Sequence, residues 1–216
     1  MRIENNRNKK AFPFQSHELE AMKLKMLNWL QPFSIFSYLC TNQNYTTKGT
    51  YELLIGLAAD DATLYDIESI TNEAHQDWYF GHIAYTYKSF VEKQLENSLP
   101  VFNAFPPTLF FRPTSVIYIE RNSQSLVIES VQNPILIYNQ IMSAQSMVEP
   151  IQETLDFETS ESQVDYITKI KRIQEHIRMG DCYELNYCVV AQSKLQQTSA
   201  LQVFASLMQH SPAPFA

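Results

Sequence analysis

VDYITKIKRIQEHIRMGDCYELNYCVVA, residues 164–191, carries the strongest structural signals in the chain. Val164, Ile167, Ile170, Ile173 and Ile177 recur at spacings of three and four, which lines them along one face of a helix. Lys169, Lys171, Arg172, Glu175 and Arg178 take most of the other positions. Ser162 can cap the start, and Asp165 falls in the first turn, where an acid suits the helix dipole. Arg178 sits in the last turn, and Gly180 supplies the left-handed residue that ends the helix. Beyond Gly180 the period changes to two. Tyr183, Leu185, Tyr187, Val189 and Ala191 point to one side of a predicted strand; Cys182, Glu184, Asn186, Cys188 and Val190 point to the other. The first face reads as core. The second carries a carboxylate and an amide about 7 Å apart. It either borders a cavity, because a buried carboxylate needs a partner, or faces solvent from a one-sided sheet.

Five acids and no basic residue fall in residues 149–162, which predicts an exposed connector. It separates an amino-terminal subdomain, residues 1–148, from residues 163–216. In the first part, residues 16–30 predict a helix: Ser16 can cap it, and Leu19, Met22, Met26, Leu27 and Leu30 share a broad apolar face. Strands are predicted at 34–39 and 51–59, joined by a stretch rich in Thr and Asn. Residues 78–87 form an aromatic strand in which Gly81 marks a bulge or a close approach. His82 on it has no motif partner, so a structural histidine is preferred to a catalytic base. Residues 88–95 then turn helical. SVIYIE (115–120) and SLVIES (125–130) flank a four-residue turn and make the clearest hairpin, and residues 136–146 predict another helix.

Composition narrows the function classes. The 216 residues carry a net charge of −7, which argues against nucleic acid. Hydrophobic residues make up 45%, yet no apolar run reaches membrane-spanning length. The three cysteines are an odd number, and Cys182 and Cys188 lie about 20 Å apart along one strand, too far to bridge. A reducing, cytoplasmic setting is expected. The four glycines form no phosphate-binding loop, and the five histidines show no metal-ligand spacing. Strands that cluster into hairpins, instead of alternating with helices, predict an α+β fold with antiparallel sheets.

The stretch from Lys169 to Gln192, followed by SPAPFA at 211–216, resembles the chorismate-utilising enzymes. These include component I of aminodeoxychorismate (para-aminobenzoate) synthase and of anthranilate synthase. Gly180, Asp181, Tyr183, Glu184, Leu185 and Asn186 carry the resemblance, with Ser211, Pro212, Pro214 and Phe215 further on. DWYFGHIAYTYKSFVEK (77–93) and FPPTLFFRPTSVIYIE (105–120) resemble the amino-terminal part of the aminobenzoate branch. The resemblance implies antiparallel β-sheets packed together and flanked by helices, as in anthranilate synthase component I. Family members are longer, so the chain is expected to be an amino-terminal portion that holds only the start of the chorismate-binding domain.

By resemblance, the expected activity is amination of chorismate at C4, a transferase step toward para-aminobenzoate and folate. Ammonia would come from a glutamine amidotransferase subunit (component II), with Mg²⁺ as cofactor. The family's nucleophile segment and Mg²⁺ carboxylates have no counterpart up to Ala216, so no catalytic residue or metal ligand is assigned. The 216 residues alone are expected to be inactive. Tyr183, Glu184 and Asn186 would border the substrate cavity. Glu184 stands where water-adding relatives carry a lysine base, which ranks that chemistry low. Thr41, with Ser211, Pro212, Pro214 and Phe215, occupies the place of a regulatory tryptophan pocket. Its acidic and serine positions are replaced by Cys40 and Thr41, so tryptophan is not expected to bind. Two alternatives stay open: anthranilate synthase component I, and a non-catalytic binding or assembly module.

Overall fold

The computed structural model describes residues 7–41, 50–72, 77–92, 106–146, 148–149, 151 and 153–211. The chain divides into two compact units, Met1–Glu149 with Phe204–Ala216, and Pro150–Val203. The first contains β1 (Asn8–Pro13), a 3-10 turn (Ser16–Glu18) and α1 (Leu19–Trp29). Next come β2 (Phe36–Cys40), β3 (Tyr51–Leu57), β4 (Leu64–Tyr65) and α2 (Ile67–Asn72). β5 (Phe80–Ile83), α3 (Lys88–Val91) and β6 (Thr108–Phe111) lead to the hairpin of β7 (Ser115–Glu120) and β8 (Ser125–Ser130), then α4 (Pro134–Ser143). In the second unit are β9 (Glu158–Thr159), α5 (Gln163–Met179) and β10 (Ala191–Gln192). α6 (Ala200–His210) follows.

A five-stranded sheet in the order β1-β8-β7-β3-β2, antiparallel throughout, is the frame of the first unit. Register fixes what each face carries. Ile55 lies opposite Ile117, Leu53 opposite Ile119, and Ile117 opposite Ile128, so these apolar residues share one face. α1 and α4 cover that face with Met26, Leu30, Ile137 and Ile141, all essentially sealed from solvent. The cover is tied down by the stacked rings of Phe12 and Tyr138, 4.1 Å apart, and by Lys25 Nζ donating to the Met142 carbonyl at 2.8 Å. On the opposite face Val116 and Tyr118 pack with Phe80 and Phe111 from a second antiparallel sheet, ordered β4-β6-β5. Gly56 is required there: a Cβ would collide with the Phe80 ring. Antiparallel sheets flanked by helices make this an α+β fold.

Several boundaries differ from the sequence reading. The hairpin is as expected, with Asn122 at φ 62° in its turn. The first helix begins as a 3-10 turn, and Ser16 does not cap it. The Ser16 hydroxyl accepts from Gln124 Nε2 at 2.7 Å, while Glu18 Oε2 receives the Gln15 N–H at 2.6 Å. The aromatic strand is only four residues long, because the chain turns into a 3-10 helix at Tyr85–Tyr87. The predicted helix at 88–95 is shorter: α3 ends at Val91 with Glu92 out of the helical conformation, and positions 93–95 lie outside the described residues. Most of the loop between β2 and β3 also lies outside them. His82 Nε2 bonds the Pro106 carbonyl at 3.1 Å.

Two corrections concern the second unit. α5 has its expected cap, Ser162 Oγ accepting from Asp165 N at 3.1 Å, and ends at Gly180 with φ 84°. Its apolar stripe is not buried, however: Val164 is 72% exposed and Ile167 43%. Ile170 and Ile173 are half-buried, but none of the five is sealed from solvent. The predicted strand after Gly180 is reduced to β10, which pairs with β9. Among the described residues, 183–190 have no ladder partner, so the expected core face stays open and Tyr183 is fully exposed.

One charged cluster is sealed inside the first unit. Arg7 grips Asp77 with two bonds, Nη1–Oδ1 at 2.7 Å and Nη2–Oδ2 at 3.2 Å, and Nη2 also donates to the Pro113 carbonyl at 2.5 Å. Arg112 Nε donates to the same carboxylate, which is 2% exposed. Burial alone would raise the Asp77 carboxyl; the two guanidinium groups outweigh it and hold it below its ordinary value. Asp77→Ala strands two cations and should cost about 3–5 kcal/mol in urea unfolding. Because the folded pKa is depressed, the stabilisation is complete above about pH 4 and fades as pH falls through the lowered value. A variant as stable as wild type at pH 7 would contradict this account.

Candidate functional site

The helix-to-segment junction at Gly180 is where the sequence places chemistry. Gly180 N donates to the Ile177 carbonyl at 3.1 Å and Asp181 N to the His176 carbonyl at 3.0 Å, which satisfies two of the last helix carbonyls. His176 Nδ1 and Asp181 Oδ2 lie 2.6 Å apart and add a side-chain link across the stop. Tyr183, Glu184 and Asn186 follow on a segment without regular secondary structure, all three exposed to solvent. The structure thus brings them together on one short stretch without enclosing them.

Tyr187 is the member of this segment with firm anchors. Its hydroxyl donates to Glu161 Oε2 at 2.8 Å, and its ring lies 5.8 Å from that of Tyr166 on α5. Lys169 Nζ, also from α5, reaches the same Glu161 oxygen at 2.5 Å. The Lys169 bond is the main reason Glu161 titrates below the ordinary carboxylate value, with the Tyr187 bond adding to it. Val190 is held from the other side, its N–H donating to Ser160 Oγ at 3.2 Å while its carbonyl accepts from Ser160 N at 2.8 Å.

Most described residues of 149–162 are exposed, as expected of a connector, but two of its acids make specific bonds. Glu153 accepts the N–H groups of Gln196, Gln197 and Thr198 at 3.2, 3.3 and 2.9 Å, shaping the turn before α6. Its bonds to Thr198 lead the effects that hold its carboxyl below the ordinary value. Glu158 and Thr159 form β9. Glu153 and Glu161 thus accept hydrogen bonds, while Asp156 and Glu158 are exposed. A hollow of about 470 Å³ opens here, lined by Glu153, Asp156, Glu158, Gln192 and Lys194 among others. Sequence spacing gave no hint of the Glu161–Lys169 pair: the residues are eight apart and fall outside the usual three-or-four helical pairing.

The second predicted constellation lies in the first unit. Thr41 is 1% exposed, and its hydroxyl donates to the Tyr51 carbonyl at 3.1 Å. Ser211 follows α6, its N–H bonded to the Leu207 carbonyl at 2.8 Å; Pro212, Pro214 and Phe215 lie outside the described residues. Phe204 of α6 meets Tyr38 of β2 edge-on at 5.8 Å. Beside Thr41 sits a cluster that sequence reasoning missed. Lys23, 3% exposed, bonds Glu52 at 2.6 Å and Glu20 at 3.0 Å, and Tyr38 OH donates to the Lys23 carbonyl at 3.3 Å. Burial opposes the Lys23 charge, yet its neighbours, Cys40 and the two carboxylates, raise its pKa. Burial pushes the Cys40 thiol up to about 11, so at neutral pH the carboxylates carry that effect.

Among the described residues no group of three or more His, Cys, Asp and Glu side chains is placed to hold a metal ion, and none of the helices is long and apolar enough to cross a membrane. The sequence pattern of the chorismate binding enzyme family matches residues 29–216, a span that runs through both units. Comparison with curated proteins returned no match.

The cysteines allow a direct check of the site's packing. At pH 8 a thiol reagent should label Cys188 and Cys182 in the folded chain and leave Cys40 unmodified until denaturant is added. Cys40 should react roughly a hundredfold more slowly on its thiolate fraction alone. Mass spectrometry of digested peptides reads the result, and labelling of Cys40 alongside Cys188 would refute its sealed placement.

Proposed function

The chain belongs to the chorismate binding enzyme family, and on that premise we propose that it forms part of an enzyme that aminates chorismate at C4. Ammonia replaces the hydroxyl, water leaves, and aminodeoxychorismate is the product, on the way to para-aminobenzoate and folate. The ammonia is supplied by a glutamine amidotransferase partner, and the reaction is cytoplasmic. Glu184 carries this reading. It sits on the exposed segment after Gly180, where water-adding relatives have a lysine that serves as base. A carboxylate can accept hydrogen bonds from ammonia but cannot supply that amine base. The two stretches that resemble the aminobenzoate branch also pair with each other, Phe80 opposite Phe111 in β5 and β6.

The substrate is a dianion, which disfavours the hollow beside Glu153 as its seat: three carboxylates, Glu153, Asp156 and Glu158, line it against one lysine, Lys194. The open side of Glu184 and Asn186 is the better wall. Mg²⁺ would assist loss of the hydroxyl as a Lewis acid, and its carboxylate ligands would come from outside the described residues. One wall cannot preorganise charge around a dianion, so the 216 residues alone should not turn over chorismate, even with saturating ammonia. The assay couples product to a lyase and measures para-aminobenzoate. The full-length protein should form it, whereas anthranilate fluorescence would favour the sister reaction and no product at all a binding module. Turnover by the 216 residues above the no-protein rate, lost in Glu184→Ala, would sink the prediction of an inactive fragment.

Regulation follows from Thr41. Thr41 is 1% exposed and its hydroxyl donates inward to the Tyr51 carbonyl, so burial closes it off from an amino acid ligand, and Cys40 replaces the acidic partner an ammonium group would need. Calorimetric titration of the full-length protein with tryptophan should show no heat of binding. Micromolar affinity that Thr41→Ala abolishes would reverse this.

A further inference from the structure

Residues 183–189 present an unusual mechanical problem. The segment is neither helix nor strand and has no ladder partner among the described residues, so neighbouring strands do not set its position. Its ends are fixed, by the helix stop at Gly180 and by Ser160 at Val190. Between them, Tyr187 supplies the hydrogen bond that ties the segment down, and its acceptor is Glu161. Glu161 lies one residue before the N-cap of α5, with its side chain 8% exposed. One of its oxygens, Oε2, receives both Tyr187 OH at 2.8 Å and Lys169 Nζ at 2.5 Å. The other, Oε1, is buried and meets no donor among the described residues.

We infer that Glu161 is a positioning residue that sets where Glu184 and Asn186 stand, by holding Tyr187 against α5. The inference rests on reading this segment as a wall of the substrate cavity. Asn186 is the chain neighbour of Tyr187 and Glu184 lies three residues before it, so a shift of the Tyr187 ring moves both. Lys169 keeps the carboxylate charged in a place where it is nearly hidden from water, and charge strengthens the bond from the phenol. Lys169 Nζ also lies 5.8 Å from the centre of the Tyr187 ring, which closes the triangle from a third side. The junction links helix, cap and segment through a single carboxylate oxygen.

The test reads position and function separately. In a Cys182→Ser background, a nitroxide on the exposed Cys188 reports the mobility of the residue next to Tyr187, and buried Cys40 stays unlabelled. Tyr187→Phe and Glu161→Ala should both move the label to a mobile spectrum with no loss of helix by circular dichroism. Glu161→Gln, which keeps an acceptor for the phenol, should restore most of the restriction. In the full-length protein, Tyr187→Phe and Glu161→Ala should each raise KM for chorismate about tenfold, the loss of one charge-assisted hydrogen bond, with kcat little changed. The double variant should be no worse than either single. An immobile label in both variants, additive losses, or a mobile label with unchanged KM would overturn the inference. If the wild-type full-length protein does not turn over chorismate, the proposed reaction fails, and the label still decides whether Glu161 is the tether.

Discussion

Burial of β7 on both faces is the constraint on which the first unit depends. Its first five residues are buried, and both of its edges are taken by ladder partners, β3 and β8. A strand so enclosed must be covered twice. Ile117 and Ile119 need the helices α1 and α4, while Val116 and Tyr118 need the second sheet through Phe80 and Phe111. A one-residue slip of register would exchange those faces and put the Phe80 ring against a side chain in place of Gly56. The sheet, its helical cover and the smaller sheet are therefore consequences of one strand being apolar at nearly every position.

That reasoning also separates what the sequence discloses from what it hides. The hairpin around Asn122, the α5 cap at Ser162 and the stop at Gly180 are local: residues within a few positions settle each of them. They were legible for that reason. The Arg7–Asp77–Arg112 cluster joins residues 70 and 35 positions apart, and no local pattern marks such a meeting. Lys23 was hidden for a related reason. A lysine within an amphipathic helix reads as solvent-facing, and its burial is made tolerable by Glu20 on the same helix together with Glu52, 29 positions away.

The site was half legible. Alternation after Gly180 is real in the sequence, but alternation describes two faces and does not supply the elements that cover them. With no ladder partner among the described residues, Tyr183 and Leu185 stay in solvent although they have the pattern of core. The same holds for α5, whose spacing of Val164, Ile167 and Ile177 gives a correct helix and an uncovered stripe. Period fixes secondary structure; burial depends on what else is present. The acidic connector, most of it exposed, holds contacts that its pattern does not announce. A run of acids without bases looks solvated, yet Glu153 and Glu161 find their donors in the backbone of residues 196–198 and in the α5 and Tyr187 side chains.

The two units are consequently held by different forces. In the first, apolar side chains are sealed between layers, and the buried charges are paired within them. In the second, none of the described residues is fully buried. Its shape is kept by helix capping, by the short β9–β10 ladder and by carboxylates that accept from several donors at once. Hydrogen bonds of this kind are directional, and each is worth little net in water compared with a buried isoleucine. They specify geometry better than they supply stability. If the segment after Gly180 is the proposed wall of a substrate cavity, that kind of support suits it, because it orients polar side chains without covering them. Covering Tyr183 and Leu185 would bring the apolar term back, and the Glu161 junction would then fix the orientation of a wall whose stability came from elsewhere.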